Sequence, residues 1–312
     1  MKIGLDIMGG DFAPKATVLG AIEAYKSLDS NQKMVLIGDK EAALPIFEEQ
    51  NFNPDLIEFV HTTEVVGMGE HPTKAITQKP NSSISLGFRM LKEKTIDSFA
   101  SAGNTGAMLV GAMFSVKTIP GVIRPAISSI VPKLKSGYGI MLDVGANADC
   151  KPDVLLQFGI LGKLFAENII GIPNPKVGLI NIGEEEEKGN LLMLATHPLM
   201  RDAGMFNFVG NVEGRDLFND KADVIVCDGF TGNVMLKLAE TFYVLTLKKG
   251  FKDEFFARFN YEQYGGSPIL GVNAPVIIGH GISTPEAIKN MVLLSRSMIQ
   301  TKLVEKITSA FK

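Results

Sequence analysis

The sequence predicts an α/β fold with a largely parallel sheet, and three observations support this prediction. Short runs rich in valine and isoleucine recur along the chain without alternating with polar residues, as is typical of strands buried on both faces of a parallel sheet. Amphipathic segments long enough for crossover helices lie between the runs. Polar turns rich in glycine follow most of the runs. Strands that alternate with helices in this way define the α/β class.

The elements follow in chain order from these patterns. The predicted strands cover residues 3–8, 34–37, 57–60, 98–102, 139–144, 177–182, 206–209 and 224–227, and the clearest helices between them cover 16–28, 83–94 and 154–167. Near the C-terminal end, Ser283 and Thr284 provide a cap, Pro285 fits the first helical position, and Glu286 lies three residues after Ser283. A stripe at mostly helical spacing then predicts a helix buried in the core or in a subunit interface: Ile288, Val292, Leu293, Ser295, Ile299, Leu303 and Ile307.

Length and composition indicate an ordinary globular protein. At about 150 residues per domain, the 312 residues correspond to one large domain or two lobes. No linker or repeat divides the chain, so we expect a single domain over residues 1–312, with two lobes around a central cleft. The hydrophobic fraction of 46% and the charged fraction of 21% exclude a disordered or fibrous protein. The net charge of −3 excludes attachment to nucleic acid through bulk basic charge, and we expect no nucleic-acid partner.

Cysteine and histidine usage bounds the kind of site. Cys150 and Cys227 are too few for a disulfide framework, and the four histidines are scattered without metal-ligand spacing. We therefore expect no metal and no cofactor. Asp6 and Asp11 fall where a secretory signal needs an apolar core, so we expect a cytoplasmic protein.

One uncharged stretch, residues 98–116, approaches the length of a membrane span. It contains a polar turn at residues 101–106, which a lipid environment would not accept without hydrogen-bond partners. The stretch therefore predicts a strand, a loop and a buried helix.

The turns that follow the strands are the expected binding region, because ligands of open α/β sheets bind outside the carboxyl ends of the strands. Glycine lets a backbone approach a ligand closely, and the N–H groups that begin the next helix favour an anion. Any one such turn is also typical of a plain tight turn, but six at one sheet edge favour a site that handles phosphate. The candidate substrate-binding residues are Gly9, Gly10, Asp11, Ser101, Gly103, Asn104, Thr105, Gly106, Asp143, Asn147, Asn181, Glu213, Asp228, Thr231 and Gly232.

Three common motifs are missing from the sequence. It contains no G-x-x-x-x-G-K-[ST], no G-x-G-x-x-G after the first strand and no G-x-S-x-G. Nucleotide hydrolysis by a P-loop, hydride transfer and serine hydrolysis are therefore all disfavoured.

Two turn residues have side chains suited to acyl transfer. Asn233 falls in the first turn of the helix after strand 224–227, where its amide N–H can donate to a carbonyl oxygen that develops negative charge. A simple turn or cap asparagine explains the same position equally well. Lys188 follows four glutamates, residues 184–187, and a surface ion pair is the common reading of such a pattern. A lysine beside carboxylates suits charge stabilisation better than proton abstraction.

Taken in order, the strings MGGD, SAGNTGA, LDVGAN, NIGEE, KGN, VGNVEGRD, DGFTGNV and YGGSPILGV resemble those of the bacterial phosphate acyltransferase family, over residues 2–307. The resemblance implies an enzyme that makes acyl phosphate from acyl-[acyl carrier protein] and inorganic phosphate, the first step toward phosphatidic acid. It implies a three-layer α/β/α homodimer without a nicotinamide cofactor, similar in fold to isocitrate and isopropylmalate dehydrogenases and to phosphotransacetylases. It assigns the catalytic pair to Lys188 and Asn233. The product would pass to an acyl phosphate:glycerol-3-phosphate acyltransferase in the membrane.

The chain departs from the family in residues 248–259, where relatives carry a longer basic and apolar segment. Phenylalanines recur here at helical spacing beside basic residues. One interpretation is a dimer core with a solvated face, and the other is a patch that docks an acidic carrier protein or the inner face of the cell membrane. The candidate contact residues are Lys248, Lys249, Lys252, Phe255, Phe256 and Arg258.

Two other functions remain open from the sequence. A phosphotransacetylase-like enzyme would use coenzyme A thioesters for the same chemistry. A non-catalytic scaffold would bind phosphate or acyl chains and consume no thioester.

Overall fold

The structure is a computed structural model that describes the backbone of residues 1–312 and every side chain except that of Tyr261. The chain divides into two compact units. Unit 1 comprises residues 1–118 and 261–304, and unit 2 comprises residues 119–260 and 305–312.

The strands and helices alternate as the sequence predicts. The strands are β1 (Lys2–Asp6), β2 (Lys33–Gly38), β3 (Glu58–His61), β4 (Ser98–Ser101), β5 (Ala126–Pro132), β6 (Tyr138–Leu142), β7 (Lys176–Ile180), β8 (Asn207–Val212), β9 (Val224–Val226), β10 (Ser267–Leu270) and β11 (Val276–Ile278). The helices are α1 (Lys15–Tyr25), α2 (Lys40–Glu49), α3 (Pro72–Gln78), α4 (Ser83–Lys92), α5 (Thr105–Gly111), α6 (Pro152–Phe165), α7 (Leu191–Asp202), α8 (Gly229–Lys248), α9 (Glu254–Ala257), α10 (Pro285–Gln300) and α11 (Leu303–Ala310).

In unit 1 the strand order is β3-β2-β1-β4-β11-β10. The pairs from β3 to β11 are parallel, and only β10 runs antiparallel to β11. Strands β1 and β2 are almost fully buried, as their unbroken apolar runs predict.

In unit 2 the strand order is β5-β6-β9-β7-β8. Strands β6, β9, β7 and β8 are parallel, and β5 pairs antiparallel with β6. The predicted α/β class with a mostly parallel sheet is confirmed in both units. Because parallel strands end at the same edge of their sheet, the turns after β6, β9, β7 and β8 emerge side by side.

The C-terminal stripe belongs to the core. The Thr284 hydroxyl caps α10, with Pro285 in the first turn, and α10 packs closely against α1. A Cβ on Gly20 would lie only 2.5 Å from the Cβ of Ile288. The predicted single helix is interrupted, however, because the backbone turns to a φ of 53° at Lys302 before α11 begins.

The uncharged stretch at residues 98–116 folds as β4, a turn, α5 and one π-helical turn (Ala112–Val116). This agrees with the predicted strand, loop and helix. Among the described residues, no helix has both the length and the apolar content needed to cross a membrane.

Candidate functional site

Asn233 lies on the surface near the start of α8, which begins at Gly229 and so includes most of the predicted turn. Asp228 caps α8, because its carboxylate accepts hydrogen bonds from the Thr231 N–H and the Thr231 hydroxyl, both at 2.9 Å. The helix therefore does not need Asn233 as a cap. Asn233 is exposed, and its amide makes no hydrogen bond to another described residue. This leaves the amide free to donate to a bound molecule.

The turn after β6 is built around the Asp143 carboxylate, which is completely buried. Its Oδ1 accepts from the N–H groups of Ile127 (3.0 Å) and Ala146 (3.1 Å). Its Oδ2 accepts from the backbone N–H and the side-chain amide of Asn147, at 2.6 and 2.8 Å. Burial raises the pKa of Asp143 above its usual value, although the hydrogen bonds from Asn147, Ala146 and Ile127 oppose that rise.

The N-terminus of α8 packs directly on this turn. The Gly229 N–H donates to the Asn147 carbonyl at 2.7 Å. A Cβ on Gly229 would lie 2.8 Å from Asp143 Oδ2, and one on Gly232 would collide with the Asp143 carbonyl oxygen. Gly145, at a φ of +128°, faces Asn233, whose Oδ1 lies 3.5 Å from the place a Cβ would take. Glycine is therefore required where the two turns meet.

Lys188 lies in the turn between β7 and α7, which is held by two asparagine side chains. Asn181 donates to the Lys188 carbonyl at 3.0 Å, and buried Asn211 donates to the Glu185 carbonyl at 2.8 Å. Gly189 has a φ of +100° and passes directly against the Asn181 side chain. Residue 188 is therefore fixed through its backbone.

The Lys188 ammonium forms no ion pair with any described residue. Among the glutamates before it, Glu184 pairs with Lys221 at 2.7 Å and Glu186 with Arg201 at 2.8 Å. The surface ion pair that the sequence pattern allowed for Lys188 does not form among the described residues, and two of the four glutamates pair with other cations instead. An exposed unpaired ammonium is suited to an anionic ligand.

Three carboxylates, Glu184, Glu213 and Asp216, lie within 4.8 Å of one another. Lys221 contacts two of them, Glu184 at 2.7 Å and Asp216 at 3.2 Å. Burial acts to raise the pKa of Asp216, but hydrogen bonds from the Glu213 N–H, Asn219 and Lys221 outweigh it and lower that pKa. The cluster is an ion-pair network. Glu213, predicted to bind substrate, forms a reciprocal capping box with Asp216 here.

In unit 1, the turns after β1 and β4 are joined through Asp6. Its buried carboxylate accepts from the Ser101 hydroxyl at 2.6 Å and from the Met8 N–H at 2.9 Å. Ser101 in turn accepts from the Gly103 N–H at 2.9 Å. A Cβ on Gly9 would lie 2.5 Å from the Gly103 nitrogen, so the two glycine turns touch.

Asn104 is engaged within the protein on both sides of its amide. Its oxygen accepts from the Ala107 N–H at the start of α5, and its nitrogen donates to the carbonyls of Gly67, Met68 and Glu70 at 3.0 to 3.1 Å. The groups of this region left open to a ligand are the exposed side chains of Asp11 and Thr105, together with the backbone of Gly10 and Gly106. Their predicted role in substrate binding stays a prediction.

Sequence reasoning missed the part played by Asp6 and Asn211. Asp6 is the last residue of β1 and Asp143 directly follows β6; each comes after a leucine and before a glycine turn, in the strings LDIMGG and LDVGAN. A charged residue at the end of an otherwise apolar strand is a signal that could have identified both as buried hydrogen-bond acceptors.

Both thiols are poor nucleophiles. Burial, with the Asp143 and Asp228 carboxylates, raises the pKa of the Cys150 thiol to about 12. Cys227, predicted to be a small buried hydrophobe, is fully buried, and burial raises its thiol pKa well above the usual value.

The segment after α8 combines an aromatic cluster with exposed lysines. Phe255 packs edge to face against Phe218 and Phe259, with ring centroids 5.9 and 5.1 Å apart. Arg258 donates to the carbonyls of Lys133 and Gly137, which ties the segment to the β5–β6 hairpin. Lys248, Lys249 and Lys252 are exposed. A cavity of about 340 Å³ lies between the end of α8 and α9, with mainly apolar walls.

The fold is of the α/β class and is similar to that of solved phosphotransacetylases. A phosphotransacetylase from Streptococcus pyogenes matches with a TM-score of 0.69 at 15% identity, covering 98% of this chain and 94% of its own. This likeness describes the fold alone.

The particular family follows from sequence comparison. The model of the family described as fatty acid synthesis protein matches residues 1–255 and 242–306. The phosphate acyltransferases of Dictyoglomus turgidum and Dictyoglomus thermophilum are 45% and 43% identical to this chain, each covering 98% of it and 96% of their own length. The chain belongs to this family of acyltransferases, which confirms the resemblance drawn from the ordered motifs.

Proposed function

We propose that this enzyme transfers the acyl group of acyl-[acyl carrier protein] to inorganic phosphate and releases acyl phosphate, the first step toward phosphatidic acid. The observation that carries the proposal is the pair Lys188 and Asn233. Each is exposed and unpartnered among the described residues. Lys188 lies in the turn after β7, and Asn233 lies near the start of α8, which follows the neighbouring parallel strand β9.

The chemistry needs no covalent intermediate on the protein. A phosphate oxygen attacks the thioester carbonyl carbon, and the carbonyl oxygen takes up negative charge. When the tetrahedral species collapses, the C–S bond breaks, and the departing sulfur takes a proton to become the carrier thiol. The protein must hold two anionic reactants together and stabilise the oxyanion.

The two side chains divide these tasks. The Lys188 ammonium offsets the charge of phosphate and of the oxyanion, and the Asn233 amide donates a hydrogen bond to the carbonyl oxygen. Phosphate is itself a charged oxygen nucleophile near neutral pH, so the reaction needs no nucleophile from the protein. This agrees with the high pKa of the Cys150 thiol, which makes that thiol a poor nucleophile.

The test is formation of acyl phosphate by the purified protein, trapped with hydroxylamine as the hydroxamate. Palmitoyl-acyl carrier protein and acetyl-coenzyme A are compared as donors in the presence of phosphate. We expect turnover with the carrier-protein donor. Preference for acetyl-coenzyme A would assign the enzyme to the phosphotransacetylase type, and phosphate binding without thioester consumption would indicate a scaffold.

Lys188→Ala should slow this reaction at least about tenfold, because it removes a charge that stabilises the transition state. Lys135→Ala is a matched control, since it removes an exposed lysine whose partner Asp220 is also on the surface. Wild-type activity in a folded Lys188→Ala variant would remove Lys188 from the mechanism.

We further propose a homodimer formed through α8. An exposed apolar row runs along this helix at spacings of three and four residues: Phe230, Val234, Leu238, Phe242 and Leu245. Such a contiguous apolar face is typical of protein interfaces. Light scattering should give the mass of two chains, and Leu238→Glu should give the mass of one; a monomeric wild type would contradict the proposal.

The exposed lysines at the end of α8 would bind an acidic surface. We propose that Lys248, Lys249 and Lys252 contact the carrier protein or the anionic inner face of the membrane, where a cytoplasmic enzyme would pass acyl phosphate to the downstream acyltransferase. Flotation with anionic vesicles should succeed at low salt and fail at high salt. No flotation at low salt would exclude the membrane contact.

A further inference from the structure

We propose that Asp143 is a positioning residue for Asn233. The buried carboxylate holds the turn of residues 143–147, against which the start of α8 packs. The position of that turn then determines where the Asn233 amide lies. The inference rests on the proposed catalytic role of Asn233.

The Asp143 carboxylate cannot itself meet a substrate. It is fully buried, and its two oxygens accept four hydrogen bonds, from Ile127, Ala146 and twice from Asn147. Three of these bonds close the turn of residues 143–147 onto itself, and the fourth ties the turn to β5. The carboxylate therefore acts as the centre of a rigid loop.

The loop transmits this rigidity to α8 through three contacts. The Asn147 carbonyl, held by the bonds to Asp143, accepts from the Gly229 N–H at 2.7 Å. Gly232 lies against the Asp143 carbonyl, with no room for a Cβ between them. Gly145 faces the Asn233 side chain, whose Oδ1 lies 3.5 Å from the position of a Cβ there. The first turn of α8 is thus seated on atoms that Asp143 holds.

Asn233 itself has no tether. Its amide bonds no described residue, so the location of its donor depends on where the first turn of α8 is seated. An error of about 1 Å in the position of a catalytic group can cost about 10²-fold in rate. Loosening the Asp143 loop should therefore slow the chemical step and leave substrate binding unaltered.

Asp143→Asn tests this, because its amide keeps the size of the side chain but turns an N–H₂ toward N–H donors. We expect kcat to fall by about tenfold to a hundredfold, with KM for phosphate and for acyl-acyl carrier protein within about twofold. Asp223→Asn is the matched control. Asp223 precedes β9 at the opposite sheet edge, where its carboxylate pairs with Lys133 and accepts from the Lys176 N–H. This control should lower Tm and leave kcat within about threefold.

A double-mutant cycle separates positioning from general destabilisation. In an Asn233→Ala background, Asp143→Asn should cause little further loss of kcat, whereas in a Lys188→Ala background it should cause the full loss. An equal loss in both backgrounds, or a kcat effect no larger than that of Asp223→Asn, overturns the proposal. Should Asp143→Asn fail to fold, Gly145→Ala disturbs the same turn at its φ of +128° and must show the same coupling to Asn233.

A readout without turnover distinguishes this inference from the proposed function. In protein labelled with ¹⁵N-asparagine, the Asn233 side-chain cross-peak, assigned by its loss in Asn233→Ala, should move in Asp143→Asn and not in Asp223→Asn. An unmoved cross-peak overturns the positioning role even if the enzyme makes acyl phosphate. Failure of the wild type to make acyl phosphate instead rejects the proposed function, whatever the cross-peak does.

Discussion

Replacing Asn233 with alanine tests the oxyanion role at the one side chain proposed to donate to the carbonyl. The Asn233→Ala substitution removes no hydrogen bond that holds α8 in place. Asp228 caps α8, and the exposed Asn233 amide bonds no described residue. We therefore expect the free energy of unfolding to change by no more than about 0.5 kcal/mol, so a loss of rate would report on chemistry.

The expected loss follows from what one donor contributes to an oxyanion. Removing such a donor costs about 10² to 10³ in kcat, or about 2.7–4 kcal/mol. Because Asn233 lies at the surface of the chain, where water weakens electrostatic interactions, we expect a loss nearer 10²-fold. KM should change little, since the ground-state carbonyl carries little charge.

The assay is the hydroxylamine-trapped acyl phosphate rate at varied phosphate and acyl-acyl carrier protein concentrations. Asn233→Asp retains the size of the side chain without the donor and should be at least as impaired. Thr241→Ala changes another exposed residue of α8, whose hydroxyl bonds only the helix backbone, and should behave as wild type. A folded Asn233→Ala enzyme with kcat within about threefold of wild type would refute the oxyanion role.

Three further predictions concern buried groups. Gly232→Ala should unfold the protein at a markedly lower temperature in calorimetry, because its Cβ would collide with the Asp143 carbonyl; an unchanged Tm would contradict this packing. Iodoacetamide at pH 8 should label Cys150 and Cys227 slowly in the native protein and fast in urea, since the Cys150 pKa is about 12 and Cys227 is buried; fast native labelling would contradict the raised pKa of Cys150 or the burial of Cys227. Burial raises the pKa of Asp6 above 3.8, so the native state binds the Asp6 carboxyl proton more tightly than the unfolded state does. The protein therefore loses stability as the pH rises from about 3.8 to the raised pKa of the native state. The deficit of Asp6→Asn in urea unfolding should therefore shrink as pH rises, and a growing deficit would refute the shift.

Apolar runs in the sequence predict β1, β2, β3, β4, β6, β7 and β9 to within two residues at each end. All of these except β3 are largely buried, as unbroken apolar runs indicate. Strands β5, β10 and β11 were not predicted. Ser128 and Ser129 interrupt the first, Pro268 is the second residue of β10, and β11 spans only three residues. The interruption between α10 and α11 could not be predicted from the sequence either, since Ile299, Leu303 and Ile307 keep a spacing of four residues across it.

The ordered turn motifs were sufficient to identify the family, because these signals are contained in short stretches of chain, and the same motifs supply the prediction of Lys188 and Asn233. Tertiary structure alone decided that the Lys188 ammonium has no ion-pair partner among the described residues and that Asp143 is a buried acceptor beneath α8. The reason is physical: local periodicity reports which face of a strand or helix is buried, whereas hydrogen-bond partners such as Asn147 and Gly229 are 82 residues apart (229 minus 147). They meet only after β6 and β9 pair side by side.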